Sequence, residues 1–496
     1  MADRTPAHES RRARLLLYAL VVVIIAVTVA GAVIAWVEWS PFPLIAGLLL
    51  SLAGIPWLLS ARSGRFDLFE PMVFKSLFIF MLAIAYIQRL YYEPREYTID
   101  GLGLSTPFEA GFTTVGVLYI VYFAVLLGAY YLYRPPTISL PQRLSIRGRE
   151  TVLRRIGLGY IAVGLVGYAY LLWVVTAGNP LLLYTTSVSR SQFFEGLGPL
   201  ILIANMTYIG YFLWILATMS RRELPSAAQI LTLPVILGLI SLLGGRAAVV
   251  RIGIVLAILG YYAALRGFAG YDRSDNPVFM FAQRLHPTAH FLLLPVFWAV
   301  ASVFLIGAQA ARSDGSPITA LRSVDPLRIV SAGVHNDTFD NMIALMEMVP
   351  AEMGYQYGTF YLRVIMNFIP RAIWSEKPVS TEGGVIRRWV IPDGSGGLPP
   401  GDMGSFYINA GIPGIVIGAI IYGVLLKLTY WTLYQNRNSL LALFAFALVM
   451  AHLIPYGLVN NALIAFLEDV VLLLPAFAVV LLTKRSQRMS GSSVPR

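Results

Sequence analysis

About twelve apolar runs, most of them near the roughly 20 residues that a helix needs to cross about 30 Å of hydrocarbon, recur along this 496-residue chain. They are Leu15–Val37, Phe42–Leu59, Met72–Ile87, Phe112–Tyr133, Ile156–Val175, Pro199–Met219, Ile230–Leu243, Ala247–Leu265, Phe291–Ala308, Ile412–Leu433, Leu440–Pro455 and Leu463–Leu482. In hydrocarbon each backbone N–H and C=O must be satisfied within the protein, so a chain patterned this way is expected to fold as an all-α polytopic membrane protein. The composition fits, with 57% hydrophobic and 13% charged residues. Too few charges remain to keep a soluble surface in water. The stretch before Leu15 is polar and basic, and the first run is longer than a signal-peptide core and lacks a small-residue cleavage site, so it reads as a retained span.

Orientation follows from the short connections, where Lys and Arg accumulate on the cytoplasmic side. Arg11, Arg12 and Arg14 place the N-terminus inside, and counting forward puts Arg62, Arg134, Arg221, Arg266, Arg437 and Lys484 inside as well. An even span count leaves both termini cytoplasmic. The net charge of +11 is thereby explained by topology rather than by nucleic-acid binding. The connection from Gln309 to Gly411 is the outlier, being far longer than an ordinary linker. The expected organisation is an N-terminal bundle over 1–308, a large extracytoplasmic loop over 309–411 and a C-terminal bundle over 412–496. Within the loop, the spacing of Phe339, Ile343, Met346 and Val349 after Asn336 and Asp337 predicts a helix, and Tyr361–Phe368 predicts a second one ended by Pro370. Apolar positions such as these predict a folded cap over the membrane surface. After the loop, Gly404, Gly411, Gly414, Gly418 and Gly423 predict close helix packing.

The chemistry available is limited to oxygen and nitrogen groups, since there is no cysteine, no histidine pair with zinc spacing and no phosphate-binding glycine loop. Arg190 and Arg246 stand in short outer connections where few cations are expected. Arg246 follows two glycines at a tight turn, where a helix N-terminus favours an anion. Snorkelling to lipid headgroups is the alternative for both. In the loop, prolines flank Arg371 and Lys377, while Arg363 and Arg387 add further cations. Arginine suits a diphosphate, with paired donors and a charge that is never lost. Candidate general bases include Asp340, Asp337, His335 and Asp402, with Glu347, Glu352, Glu376, Glu382 and Asp393 beside them. Sequence does not choose among these. Glu468 and Asp469 lie in the last span and are expected to pair with an arginine.

The segments Phe339-Asp340, Val349-Pro350, Asn367-Phe-Ile-Pro-Arg-Ala-Ile-Trp374, Lys377-Pro378 and Gly404-Ser-Phe-Tyr-Ile-Asn-Ala-Gly-Ile-Pro-Gly414 resemble the O-antigen and oligosaccharide repeat-unit polymerases, the Wzy type. Leu243-Gly-Gly-Arg246 is similar to the glycine-flanked arginine of an earlier outer turn in that family. Ser405 departs from it, standing where many members carry an acidic residue, with Asp402 the nearest substitute. The resemblance implies a glycosyltransferase of the bacterial inner membrane. It would join polyprenyl-diphosphate-linked oligosaccharide donors to lipid-linked acceptors for O-antigen, capsule or exopolysaccharide, without cofactor or metal and with a chain-length regulator as an optional partner. Arg246, Arg371 and Arg190 would hold the leaving diphosphate, and a loop carboxylate or His335 would deprotonate the acceptor hydroxyl. Competing expectations are a ligase that passes the glycan to another acceptor, and a transporter of polysaccharide or lipid-linked sugar. A transporter would favour repeated halves and charged central cavities.

Overall fold

A computed structural model describes residues 7–62, 66–91, 104–141, 146, 148–176, 178, 197–242, 246–273, 276–284, 338–369, 373–374, 376, 381–390 and 397–483. All regular structure among them is helical. In chain order the helices are α1 (Ala7–Glu38), α2 (Phe42–Arg62), α3 (Pro71–Tyr91), α4 (Phe108–Leu132), α5 (Glu150–Thr176), α6 (Gly198–Ser220), α7 (Ala227–Leu242) and α8 (Arg246–Gly260). After α8, which runs on through Leu265, come α9 (Pro277–Arg284), α10 (Thr338–Met348), α11 (Thr359–Met366), α12 (Glu382–Val390), α13 (Gly401–Gln435), α14 (Leu440–Tyr456) and α15 (Asn460–Leu482). Among the described residues nine helices are long and apolar enough to cross a membrane, and Ala227–Ser241 and Leu440–Pro455 are shorter apolar helices. The chain is therefore a multi-pass, all-α membrane protein. Every apolar run named above is helical except Phe291–Ala308, which lies outside the described residues.

The chain forms two compact units. One comprises Met1–Pro135, His286–Tyr430 and His452–Leu463, and the other Pro136–Leu285, Trp431–Ala451 and Ile464–Arg496. In the second unit α5 and α6 meet along small residues. A Cβ on Gly210 would fall 2.5 Å from the Gly157 carbonyl oxygen, and one on Gly164 would fall 2.4 Å from the Thr207 nitrogen. Glycine at these positions lets the two backbones touch.

In the first unit α10, which belongs to the long connection, packs against α3 and α4. Phe339 packs against Tyr86 of α3 and against Phe112 and Tyr119 of α4, with ring centroids 5.3, 5.4 and 5.6 Å apart. Tyr119 stands eleven residues into α4, roughly 16 Å along its axis, so α10 begins deep inside the bundle. It climbs toward the Phe108 end, where the Glu347 carboxylate accepts the Ser105 and Thr106 N–H groups at 3.1 and 2.6 Å. The apolar residues of α10 are enclosed, with Phe339, Met342, Ile343 and Leu345 at most 2% exposed.

A second descent follows at α13. Ala410 and Gly411 break it, Gly411 at φ +64°, into limbs 401–409 and 412–435 that fold against each other. Phe406 of the first limb sits on Gly414 and Gly418 of the second; a Cβ on Gly418 would come within 2.2 Å of its ring. Gly423 in turn approaches α4, where a Cβ would fall 2.7 Å from the Leu126 oxygen. The first limb starts at depth, since Gly401 lies beside Tyr119 and Thr338. It ends at the rim, where Ile408 and Asn409 carbonyls accept the Gln356 and Tyr357 N–H groups at 2.9 and 3.0 Å. The irregular entry, Leu398-Pro-Pro-Gly401, is paid for in hydrogen bonds: Leu398 N–H donates to the Gly383 oxygen at 2.8 Å and Asn341 Nδ2 donates to the Pro399 oxygen at 3.0 Å. Non-helical backbone at such depth persists only where protein supplies partners in this way.

Candidate functional site

These two re-entrant elements carry polar groups into the first unit. Asp402, one residue into the first limb of α13, meets Lys75 of α3 at 2.9 Å, and Tyr122 of α4 donates to the same oxygen at 2.8 Å. Lys75 also donates to the Ile454 carbonyl at 3.2 Å and stands 5.6 Å from the centroid of the Tyr422 ring. The other Asp402 oxygen accepts the Met403 N–H at 3.0 Å. Gly457 closes the site from below. Its φ of +72° and the 2.2 Å that would separate a Cβ from the Asp402 side chain leave glycine as the residue that fits.

Asp340, on the first turn of α10, pairs with Arg89 of α3 at 3.4 Å. Both side chains are fully enclosed, and the guanidinium lies 5.1 and 5.7 Å from the centroids of Phe108 and Phe112. Aromatic faces and a carboxylate together stabilise a cation that has lost its water.

The third group differs from these pairs. Glu382 begins α12 and is 3% exposed, Ser405 lies on the first limb of α13 and is fully enclosed, and Tyr361 belongs to α11. Glu382 Oε1, Ser405 Oγ and the Tyr361 hydroxyl are buried without a hydrogen-bond partner. The Ser405 hydroxyl and the Asn460 N–H face the Glu382 carboxyl, and Tyr361 is within electrostatic reach of both Glu382 and Asp402. Burial raises the Glu382 carboxyl above the usual carboxylate range, opposed by its own N–H, the Ser405 hydroxyl and the Asn460 N–H.

Of the residues singled out from sequence, Asp340 and Asp402 thus sit in the bundle of the first unit. Arg363 donates to the Gln356 side-chain oxygen at 3.1 Å and covers the Phe360 ring at 4.3 Å, and Arg387 keeps a buried, unpartnered Nε. His335, Asp337, Arg190, Arg371 and Lys377 lie outside the described residues, as does the side chain of Arg246, whose backbone opens α8. Lys75, Arg89 and Tyr122 were missed by the sequence reading. The signal was present for the first two, because a cation within or at the end of an apolar run is costly unless it has a partner. In the second unit, Asp469 accepts the Tyr208 hydroxyl, and Arg251 of α8 acts electrostatically on the neighbouring Glu468. No group of acidic or histidine side chains with the makings of a metal site occurs among the described residues.

Comparison of the chain with family models, with curated proteins and with solved structures finds no match.

Proposed function

We propose that this chain is a membrane glycosyltransferase that polymerises polyprenyl-diphosphate-linked oligosaccharide repeat units at the extracytoplasmic face of a bacterial cytoplasmic membrane. The observation that carries the reading is the re-entry of α10 and of the first limb of α13. The segment that resembles repeat-unit polymerases brings Asp340, Glu382, Asp402 and Ser405 into a bundle where polar groups are otherwise costly. Packing alone would be served better by apolar side chains at those positions. A hydroxyl-rich substrate held against a membrane gives them a purpose.

In this reading the donor chain is transferred from its polyprenyl diphosphate to a terminal hydroxyl of a second lipid-linked unit. The departing diphosphate gathers negative charge, which Arg246, Arg371, Arg190 and Lys377 are suited to receive, with Arg363 and Arg387 as further contacts for phosphate or glycan. No cofactor enters the reaction, and a chain-length regulator would act by setting when the growing chain leaves.

The test is polymer formation in nanodiscs by the purified protein, given lipid-linked oligosaccharide extracted from cells that lack it. A ladder of lipid-linked products, each one repeat unit longer than the last, is expected. Folded protein that leaves the extracted units unconsumed would refute the proposal, and transfer only to an added lipid A core would make the chain a ligase.

A further inference from the structure

Of the carboxylates buried in the first unit, Asp402, Asp340 and Glu382 belong to the stretch between α10 and α13, and they are not equivalent. Asp402 is engaged on both oxygens, by Lys75 and Tyr122 on one and by Met403 on the other. Asp340 is enclosed against Arg89. Each of these two is already held against a cation. Among the described residues Glu382 has no cation against it: the Ser405 hydroxyl and the Asn460 N–H face its carboxyl, and the Tyr361 hydroxyl lies within electrostatic reach.

Resting on the glycosyl-transfer reading above, we propose that Glu382, Ser405 and Tyr361 form the subsite for the acceptor sugar, and that Glu382 Oε1 takes the proton of the attacking hydroxyl. Buried oxygens without partners are rare in folded proteins because each forfeits its hydrogen bonds to water. Here Glu382 Oε1, Ser405 Oγ and the Tyr361 hydroxyl, on α12, α13 and α11, are such atoms; the Ser405 hydroxyl faces the carboxyl and Tyr361 lies within electrostatic reach of it. Alternating donors and acceptors without net positive charge suit a neutral polyol. They do not suit a phosphate, which a carboxylate would repel.

The step balances as follows. The acceptor hydroxyl oxygen forms a bond to the anomeric carbon of the donor, the bond from that carbon to the diphosphate oxygen breaks, and its electron pair leaves with the polyprenyl diphosphate. The hydroxyl proton passes to Glu382 Oε1 and is later released to water. Burial raises the carboxyl above the usual carboxylate range, so it holds the proton more readily than an exposed carboxylate would.

Two measurements on the full chain test this. In nanodiscs with the extracted lipid-linked oligosaccharide, Glu382→Gln should lower the polymerisation rate by roughly 10² to 10⁴, change the acceptor KM far less, and abolish the acid limb of the pH–rate profile. Because the chain contains no cysteine, Ser405→Cys supplies its sole thiol. That thiol should react with a small methanethiosulfonate reagent, and the extracted oligosaccharide should slow the reaction about fivefold or more. A wild type that polymerises beside a Glu382→Gln variant with the same rate and pH profile, or a folded Ser405→Cys protein whose thiol is inert, overturns the subsite while leaving the polymerase reading intact. A folded wild type that does not polymerise, beside a Ser405→Cys protein whose thiol reacts but is not protected by the oligosaccharide, overturns both. Should Glu382→Gln fail to fold, the thiol experiment decides alone.

Discussion

Removing Lys75 should cost the protein more stability than removing Lys75 and the charge of Asp402 together. At their 2.9 Å separation, an effective dielectric near 20 gives an attraction of about 6 kcal/mol. Against it stands the desolvation of two side chains that are 5% and 9% exposed, several kcal/mol for each ion. The pair therefore contributes little net stability, yet it becomes a liability when one member is lost. Lys75→Met leaves the Asp402 carboxylate buried with only Tyr122 and the Met403 N–H as partners, which should cost about 3 to 5 kcal/mol. Asp402→Asn alone strands the ammonium beside the Tyr422 ring and should cost a similar amount. The double variant keeps an acceptor for Tyr122 and buries no charge, so its loss should fall below that of either single variant. Unfolding in rising SDS mole fraction, followed by tryptophan fluorescence, measures all four corners of the cycle. A Lys75→Met loss under about 1 kcal/mol, or a double variant as damaged as the sum of the singles, would show that the pair is solvated and that this reasoning about the first unit is wrong.

Glu70, just before α3, has its carboxyl pushed up to about 7, first by burial and then by Asp67, with Lys427 and Tyr130 opposing. A carboxyl raised on folding favours the protonated native state, so stability is fully present below its ordinary value of 4.5 and is lost as pH climbs to about 7. The loss is about 3 kcal/mol at most, and unfolding at pH 5 and pH 8 should show that Glu70→Gln removes it. Gly210→Val should destabilise the second unit by about 1 to 3 kcal/mol, because its side chain would meet the Gly157 oxygen and the Ile161 nitrogen. Gly159→Ala on the same α5 helix meets nothing within 4 Å and should change the thermal midpoint little. Tyr208→Phe removes the hydroxyl given to Asp469 and should cost about 1 to 3 kcal/mol in the same SDS titration.

The spans were legible because hydropathy reads the solvent, and lipid faces most of α1, α5 and α15; the Val21–Glu38 window of α1 is only 6% buried. The re-entrant limb was not, for the same reason. Gly401-Asp-Met-Gly-Ser-Phe-Tyr-Ile-Asn409 places Asp402, Ser405 and Asn409 among apolar neighbours, and a window average takes such a stretch for loop. Its solvent is other protein: Phe406 lies on Gly418, Tyr407 bonds the Val349 oxygen and Asp402 bonds Lys75, so its polar residues mark partners instead of water. Gly414, Gly418 and Gly423 were read correctly as contact residues, although the partner of the first two, a limb of the same helix folded back, was invisible to spacing alone. Pairing fails for a similar reason. Asp340 could be recognised as an acid near a helix start, but Arg89 stands 251 residues away in the chain, and nothing in local pattern joins them. Glu382 was one carboxylate in a long roll of loop acids. What separates it from the rest is that it is buried without a cation, a property of the surroundings that α11, α12 and α13 supply only once they have packed. In the proposed subsite the residues most worth altering are therefore Ser405, whose hydroxyl faces the Glu382 carboxyl, and Tyr361, which lies within electrostatic reach of it.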